Sequence, residues 1–172
     1  AIVGDPACSA NEKLAYDVNA TGSINVFDAC RKGGVEKVIF ASTCSNYGMM
    51  DKKKYEYVDE SSELSPISSY AIYKVQMEKL LVEEYEDLNP TIFRFATLYG
   101  ISPRMRFDLT INQFVMEAVV DGKLVIYGEQ FYRPYLHVLD ATTAILTTLG
   151  SSASGSWICN VGSNSENYTK KD

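Results

Sequence analysis

Residues 35–48 read VEKVIFASTCSNYG. The apolar run Val38-Ile39-Phe40 within this stretch is typical of a strand that is buried on both faces, so we predict a strand from Val35 to Ala41. The segment after it, residues 42–66, is rich in Ser, Tyr and Lys and has no clear period, which predicts a long loop. Because a loop of that length is unusual in a compact domain unless it has a function, we expect it to contribute to a site.

Helix-like and strand-like segments alternate on both sides of this stretch. The periodicity predicts helices over 10–32, 67–88, 110–120 and 138–149, and further strands over 91–98, 124–127 and 157–161. Residues 1–3 resemble the end of another buried strand. This alternation predicts an α/β fold with a doubly wound, mostly parallel sheet and helices on both faces. Ligands of such sheets bind at the carboxyl ends of the strands, here after Ala41 and after Leu98.

Composition narrows the possible classes of function. The 172 residues are 46% hydrophobic and 22% charged, which is typical of a globular domain. No apolar run is long enough to cross a bilayer and no signal peptide is visible, so we expect a cytoplasmic protein without a membrane partner. The net charge of −6 argues against nucleic acid as the main partner. Four cysteines without a CxxC pair, together with the single histidine His137, predict free thiols and no metal site.

Tyr70 and Lys74 are four residues apart in the predicted helix over 67–88, which places both side chains on one face. A tyrosine with a pKa near ~10 is a poor base at neutral pH, but an adjacent ammonium favours the phenolate and lowers that pKa. Such a pair could take or give a proton at a sugar hydroxyl. A YxxxK spacing alone is a weak indication, because a tyrosine and a lysine on a helix are usually a core edge and a solvated side chain.

The segments around this pair make the indication specific. The stretch FASTCSNYG (40–48) lies upstream of YAIYK (70–74), and the chain also contains DVNATG (17–22), RFATLYG (94–100), RPYLHV (133–138) and NVG (160–162). In this order the segments resemble those of the NAD-dependent nucleotide-sugar epimerase/dehydratase family, which belongs to the extended short-chain dehydrogenases/reductases. The resemblance covers nearly the whole chain.

The resemblance implies a fold and a set of roles. Residues 1–100 would be the C-terminal part of a Rossmann-type NAD-binding domain, and residues 101–172 a substrate-binding region interleaved with the last Rossmann strands. The cofactor would be NAD and the substrate a nucleoside-diphosphate sugar. His137 would be structural. The implied catalytic residues are Thr43, Tyr70 and Lys74; the cofactor contacts are Ala1, Asn19, Ser42, Tyr70, Lys74 and Ala96; the substrate contacts are Thr43, Thr97, Arg106, Asn112 and Arg133.

Two features depart from the family pattern. No glycine-rich dinucleotide fingerprint occurs in the chain, so we expect it to be a fragment that lacks the pyrophosphate cradle at the start of the fold. Cys44-Ser45 stands where the family's 4,6-dehydratases have Asp-Glu. Because a thiol and a hydroxyl are poor substitutes for a carboxylic acid pair, this favours epimerisation or simple redox chemistry over dehydration.

The sequence therefore favours an NAD-dependent epimerase that oxidises its sugar transiently to a keto sugar. A reductase or dehydrogenase of the same family, dependent on NAD or NADP, is one alternative. A catalytically silent binding domain with the same fold is another. By resemblance to the family, we also expect a homodimer formed through the helices near 10–32 and 67–88.

Overall fold

A computed structural model describes residues 1–49 and 57–172 of the chain. These residues form two compact units. The first comprises residues 1–94 together with 151–160, and the second comprises residues 95–150 together with 161–172.

The first unit is built around a three-stranded sheet. Its strands are β1 (Ile39–Thr43), β2 (Thr91–Phe95) and β5 (Trp157–Val161), in the order β1-β2-β5. Every residue of the central strand β2 is buried. The helices of this unit are α1 (Asp5–Ala10), α2 (Glu12–Tyr16), α3 (Gly22–Lys32) and α4 (Ser69–Glu84).

Helices α3 and α4 pack their apolar residues against this sheet. The Phe27 ring meets Phe40 of β1 and Tyr85 edge-on, at centroid distances of 5.9 and 5.4 Å. Burial of each large apolar side chain contributes roughly 1.5–3 kcal/mol, so this cluster is the main source of stability in the first unit. The buried members of the cluster are Ala20, Phe27, Phe40, Met77, Leu81, Tyr85, Leu88 and Ile92.

The second unit contains a smaller sheet with the strand order β3-β4-β6. Its strands are β3 (Thr97–Tyr99), β4 (Arg133–His137) and β6 (Asn167–Tyr168), and its helices are α5 (Thr110–Val120) and α6 (Val138–Gly150). Strands β3 and β4 are parallel, with Thr97 opposite Tyr135, whereas β4 and β6 are antiparallel. The predictions of α5, α6 and β5 are confirmed.

The prediction of one helix over 10–32 was wrong, because that stretch is interrupted twice. The Asn11 side chain accepts a hydrogen bond from the Leu14 backbone N–H at 3.0 Å and so caps the start of α2. A single π-helical turn, Asp17–Thr21, then separates α2 from α3. Such turns are often found at functional positions.

The predicted helix over 67–88 is shorter than expected. The Ser68 hydroxyl accepts a hydrogen bond from the Ala71 N–H at 3.2 Å, so Ser68 is the N-cap and α4 begins at Ser69. The helix ends at Glu84, where Tyr85 leaves the helical conformation with φ −127°.

Several strand predictions also need correction. The first strand begins at Ile39 rather than Val35 and continues to Thr43. The predicted strand over 91–98 is divided at Ala96 into β2 and β3, which belong to different sheets. The Ala96 N–H still pairs with the Val161 carbonyl of β5 at 3.0 Å, whereas Thr97 lies opposite Tyr135 of β4. Residues 124–127 are not a strand, and most of their side chains are exposed.

Residues 1–3 are not a strand either. The side chain of Asn19, rather than a neighbouring strand, holds the backbone of Ile2. The predicted loop over 42–66 is interrupted near its start by a short 3₁₀ turn, Cys44–Tyr47. Part of this loop, residues 50–56, lies outside the described residues.

Candidate active site

Lys74 connects the first half of α4 to the middle of β1. Its Nζ donates a hydrogen bond to the Ala41 carbonyl oxygen at 2.7 Å and lies 4.5 Å from the Phe40 ring centroid. The same Nζ lies 5.8 Å from the ring centroid of Tyr70, one turn earlier on the helix. The predicted pair is therefore close in space, with the ammonium within reach of the aromatic ring.

The environment of Lys74 changes its protonation. Burial lowers the pKa of Lys74 from 10.5 to about 8, and the negative charge of Glu78 opposes this shift. Burial is the larger effect because it disfavours the charged ammonium. Near neutral pH the group is thus still mostly protonated but titrates far more readily than an exposed lysine.

Thr43 is the last residue of β1 and the N-cap of the 3₁₀ turn. Its Oγ1 accepts a hydrogen bond from the Ser45 N–H at 3.1 Å. The turn ends at Gly48, whose φ of +67° is one that L side chains rarely adopt. A Cβ at Gly48 would lie 1.7 Å from the carbonyl oxygen of Ser65, so the glycine that follows Tyr47 in the sequence pattern is required for steric reasons.

A buried polar network next to this segment was not predicted. The Glu78 and Arg94 side chains are only 3% and 4% exposed and form an ion pair at 2.7 Å. The Ser42 hydroxyl donates to Glu78 Oε1, and the Asn46 amide donates to the same oxygen at 2.6 Å. The Arg94 guanidinium also donates to the Tyr47 hydroxyl at 3.0 Å. The sequence contains two indications of this network: a glutamate one turn after Lys74 and an arginine inside an apolar strand.

The network continues to β5 and to the loop before α4. The Tyr47 hydroxyl donates to Asn160 Oδ1 at 2.7 Å, and the Asn160 N–H donates to Glu60 Oε1 at 2.6 Å. Arg94 donates to the Glu60 carbonyl at 3.3 Å. The residues around Thr43 are therefore held from three elements of the first unit.

Two residues predicted to contact the cofactor have their side chains already engaged. The Asn19 amide accepts from the Ile2 N–H and donates to the Ile2 carbonyl, both at 2.8 Å, while the Ser42 hydroxyl bonds to Glu78. Asn19 thus holds the segment that begins with Ala1. A cofactor that meets these positions would therefore contact mainly their backbone, whereas the Lys74 ammonium, a three-proton donor, suits the hydroxyls of a ribose.

Apart from Thr43, which belongs to the first unit, the predicted substrate contacts lie in the second unit, as does the predicted cofactor contact Ala96. Asn112 of α5 accepts from the Gly100 N–H and donates to the Arg106 carbonyl, both at 3.2 Å. The Arg106 guanidinium forms an ion pair with Asp108 at 2.6 Å. Asn112 therefore joins two loop positions of the predicted substrate region to α5. The three other predicted residues are buried Ala96, Thr97 on β3, and exposed Arg133 at the start of β4.

His137 packs within the second unit. Its ring meets the Tyr99 ring edge-on at 5.3 Å, and its Nδ1 accepts a hydrogen bond from the Leu139 N–H at 3.3 Å. Gly100, with φ +116°, leaves room for this ring, because a Cβ there would lie 2.5 Å from His137 Nε2. A cavity of about 300 Å³ borders the same place, lined by Tyr99, Tyr135, His137, Asp140, Ser163 and Glu166 among others.

Metal-binding and membrane-spanning features are both missing from the described residues. Within the part of the chain that the structure describes, no cluster of three His, Cys, Asp or Glu side chains is arranged to hold a metal ion. Over the same residues, none of the helices combines the length and apolar character that crossing a bilayer requires.

Comparison with known proteins places this arrangement in a family. A model described as the NAD dependent epimerase/dehydratase family matches residues 1–162. A probable UDP-glucuronate 4-epimerase of Rhizobium meliloti is 33% identical over 141 residues, which are 79% of this chain and 40% of that protein. The chain spans about two fifths of the length of the curated relatives that it matches.

Solved structures agree with this result. MoeE5 in complex with UDP-glucose and NAD has a TM-score of 0.82 and 27% identity, covering 95% of this chain and 54% of that one. A dTDP-glucose 4,6-dehydratase of Bacillus anthracis in complex with NAD has a TM-score of 0.78 and 27% identity, covering 91% and 49%. These similarities confirm the predicted α/β, Rossmann-type fold. The chain belongs to the NAD-dependent epimerase/dehydratase family.

Proposed function

We propose that this chain carries the acid/base residues of an NAD-dependent epimerase that acts on a nucleoside-diphosphate sugar. The observation that carries the proposal is the position of the Lys74 ammonium, 5.8 Å from the Tyr70 ring centroid and hydrogen-bonded to Ala41 of β1, two residues before Thr43. This brings an ammonium close to a tyrosine beside the strand whose carboxyl end is Thr43, and ligands of such sheets bind at the carboxyl ends of the strands.

In this proposal Tyr70 moves the proton of the reacting hydroxyl. The positive charge of Lys74 favours the phenolate of Tyr70, which takes the proton of a ring hydroxyl and later returns it to the reduced oxygen. Thr43 Oγ1, which accepts from the Ser45 N–H, keeps its own hydroxyl proton to donate to the same sugar oxygen. NAD, when bound, supplies the reversible oxidation of that carbon.

Further residues of the chain would hold the two ligands. Lys74 would donate to the nicotinamide ribose, and the backbone near Ala1, Asn19, Ser42 and Ala96 would meet the cofactor. Of the proposed substrate contacts, Arg133 suits the diphosphate, because its exposed guanidinium can form paired hydrogen bonds with phosphate oxygens. Thr97, Arg106 and Asn112 would line the sugar side.

The two residues after Thr43 favour epimerisation over dehydration. They are Cys44 and Ser45, and neither offers the carboxylic acid needed to remove and deliver protons during the loss of water. The relatives include both reaction types: the Rhizobium meliloti protein is named a 4-epimerase and the Bacillus anthracis protein a 4,6-dehydratase. The choice therefore rests on this pair of residues.

Two alternative functions can be told apart from this proposal by experiment. A nucleotide-sugar reductase or dehydrogenase, dependent on NAD or NADP, would consume its cofactor, whereas an epimerase regenerates it. A silent binding domain would bind the cofactor without converting any sugar nucleotide. Following NADH absorbance during turnover separates the first of these from an epimerase.

The test compares two tyrosines on the same helix. In the intact enzyme, assayed with NAD and with UDP-glucose or UDP-glucuronate, Tyr70→Phe should lower kcat by about 10²–10⁴-fold. Tyr73→Phe is the matched control, because Tyr73 packs edge-on against Tyr16 at 5.8 Å and has no proposed chemical role. Equal turnover by the two variants would refute the assignment of Tyr70.

The same proposal includes a homodimer and a cytoplasmic location. Helix α2 and the π turn present Leu14, Tyr16 and Val18 with 48%, 51% and 38% of their surfaces exposed, and α4 presents Ile72. A second copy that covers these apolar side chains would stabilise the pair. Leu14→Glu together with Val18→Glu should shift the intact enzyme from dimer to monomer in sedimentation equilibrium, whereas an unchanged mass would exclude this interface.

A further inference from the structure

We propose that Glu78 is a positioning residue that fixes Thr43 relative to Tyr70 and Lys74. This inference rests on the proposed function of those three residues and assigns a role to a fourth, which lies in the interior and contacts none of the proposed ligands.

The first step is the placement of Glu78 on α4. Tyr70, Lys74 and Glu78 follow one another at intervals of four residues, so their side chains project from the same side of the helix. Glu78 is 3% exposed, and its carboxylate points into the unit toward β1 and β2. The helix that carries the proposed acid/base pair therefore also carries a buried carboxylate.

The second step is what that carboxylate holds. Glu78 Oε1 accepts from the Ser42 hydroxyl, one residue before Thr43, and from the Asn46 amide at 2.6 Å, three residues after it. The Asn46 amide also donates to Ser42 Oγ at 3.1 Å. One oxygen atom on α4 thus holds both sides of the segment that carries Thr43.

The third step is what holds the carboxylate. Arg94 of β2 donates to Glu78 Oε2 from Nε at 3.0 Å and from Nη2 at 2.7 Å. The Nε atom also lies 3.3 Å from Oε1. Charge-assisted, multiply hydrogen-bonded pairs of this kind restrict geometry more than single bonds do. The orientation of the carboxylate, and with it the position of the Thr43 segment, is therefore set from the central strand.

The consequence is a fixed spacing between two catalytic elements. Thr43 is on the strand end and Tyr70 is on the helix, and both must reach one sugar oxygen. A displacement of about 1 Å can reduce the rate about 10²-fold, even when it originates away from the reacting atoms. Glu78 is the described side chain that contacts both sides of the Thr43 segment from α4. It also stabilises the charge of Lys74 electrostatically.

The experiment measures whether Glu78 acts through Thr43. In the intact enzyme with NAD and UDP-glucose or UDP-glucuronate, Glu78→Gln should lower kcat per folded protein by about 10–100-fold and change KM less than about 3-fold. In a Thr43→Ala background the same substitution should cost less than about 3-fold, because residues that act as a unit are not additive. Glu83→Gln, on the exposed side of the same helix, is the control and should leave kcat unchanged.

A second variant decides the question if Glu78→Gln does not fold. Asn46→Ala leaves the Arg94–Glu78 ion pair and the bond from Ser42 to Glu78 in place, and it removes the bonds from the Asn46 amide to Glu78 and to Ser42. It should also lower kcat, and the loss should again shrink in the Thr43→Ala background. The positioning role would be overturned if Glu78→Gln and Asn46→Ala each lowered kcat by the same factor in the Thr43→Ala background as in the wild type. It would also be overturned if they lowered the melting temperature and left kcat unchanged.

Failure of the proposed function would look different. In that case Tyr70→Phe and Thr43→Ala would turn over like the wild type, or no sugar nucleotide would be converted. A crystal structure of Glu78→Gln then tests the positioning role by itself. Residues 42–46 should be displaced relative to α4, and an unchanged segment would refute it.

Discussion

The Nζ atom of Lys74 donates a hydrogen bond to the carbonyl oxygen of Ala41 at 2.7 Å. This bond joins α4 to the middle of β1 by a charged group that is partly buried. Burial accordingly lowers the pKa of Lys74 to about 8. The proposed electrostatic partner of Tyr70 is thus a lysine whose charge is lost under mildly alkaline conditions.

The first prediction is the effect of this pKa on stability. The pKa of Lys74 is lower in the folded protein than its ordinary value of 10.5, so between about pH 8 and 10.5 the unfolded chain binds the proton that the folded protein has lost. Deprotonation of Lys74 should therefore make the free energy of unfolding rise with pH in that window. Below about pH 8, where the folded protein also keeps the proton, this stabilisation should be absent.

Comparison with Lys74→Met isolates this contribution. Urea unfolding of both proteins at about pH 7 and about pH 9.5 should show that the wild type gains stability relative to the variant at the higher pH. Lys79→Met, at an exposed position of the same helix, should track the wild type. An equal pH dependence of wild type and Lys74→Met would contradict the lowered pKa.

The second prediction concerns two ion pairs of nearly equal length. The Arg94–Glu78 pair is 2.7 Å long and buried, whereas the Arg31–Asp87 pair is 2.6 Å long with side chains 41% and 54% exposed. Arg94→Met should lower the free energy of unfolding by about 3–5 kcal/mol, because it leaves a buried carboxylate unpaired. Arg31→Met should lower it by about 1 kcal/mol or less.

The double variant Glu78→Met with Arg94→Met provides the cross-check. Removing both charges avoids the unpaired carboxylate, so this protein should recover part of the stability lost in Arg94→Met; the buried Ser42 and Asn46 side chains, which lose their acceptor, limit the recovery. Thermal and urea unfolding would measure all three variants. A double variant less stable than Arg94→Met alone would show that the pair is net stabilising rather than mainly costly to break.

Helices and strands whose own residues carry a clear apolar pattern could be predicted from the sequence. The strand Trp157–Val161 and the helix Thr110–Val120 were predicted from their own apolar patterns and are confirmed. The division at Ala96 could not be predicted, because it depends on a change of partner from β5 to β4, and both of these strands are far along the chain. Residues 124–127 have a strand-like composition but stay exposed, so propensity without a partner strand was misleading.

In the candidate site, too, a pair of residues within one helix could be predicted, whereas contacts between elements could not. Tyr70 and Lys74 are recognisable because a helix brings residues at this spacing together. The contact between Glu78 and Arg94 joins a helix to the centre of a strand, and no local pattern encodes it. The engagement of Ser42 with Glu78 likewise depends on tertiary packing, so its side-chain role could not be read from the sequence.

The third prediction uses two glycines with the same backbone angle. Gly48 and Gly34 both have φ +67°, but a Cβ would meet the Ser65 carbonyl oxygen at 1.7 Å in the first case and nothing within 4 Å in the second. Gly34→Ala should therefore cost only the left-handed backbone penalty of about 1–2 kcal/mol. Gly48→Ala should cost about 1–3 kcal/mol more, because the turn and residue 65 must separate.

Urea unfolding of the two variants gives the comparison directly. In the intact enzyme, Gly48→Ala should also reduce kcat, because the turn that begins at Thr43 ends at this residue. Equal losses of stability at the two glycines would mean that the loop before α4 moves away without cost.

The fourth prediction concerns the two hydrogen bonds between the Asn19 side chain and the backbone of Ile2. Asn19→Leu removes both, while Asn19→Asp keeps the acceptor for the Ile2 N–H and sets a buried carboxylate against the Ile2 carbonyl, where Nδ2 donates at 2.8 Å. Each variant should lose about 1–3 kcal/mol near neutral pH. Asn25→Asp, at an exposed position of α3, should change stability by less than about 0.5 kcal/mol.

Acid should separate the two Asn19 variants. The pKa of the introduced carboxyl should be raised in the folded protein above its ordinary ~3.9, because burial and the facing carbonyl oxygen disfavour its charge. The protonated acid can donate to the Ile2 carbonyl, so its stabilising contribution is present at low pH and is lost as pH rises through the raised pKa. The deficit of Asn19→Asp relative to wild type should therefore shrink toward about pH 4, whereas that of Asn19→Leu stays constant. Parallel pH curves for the two variants would show that the donor side of the Asn19 amide contributes little to holding residues 1–3.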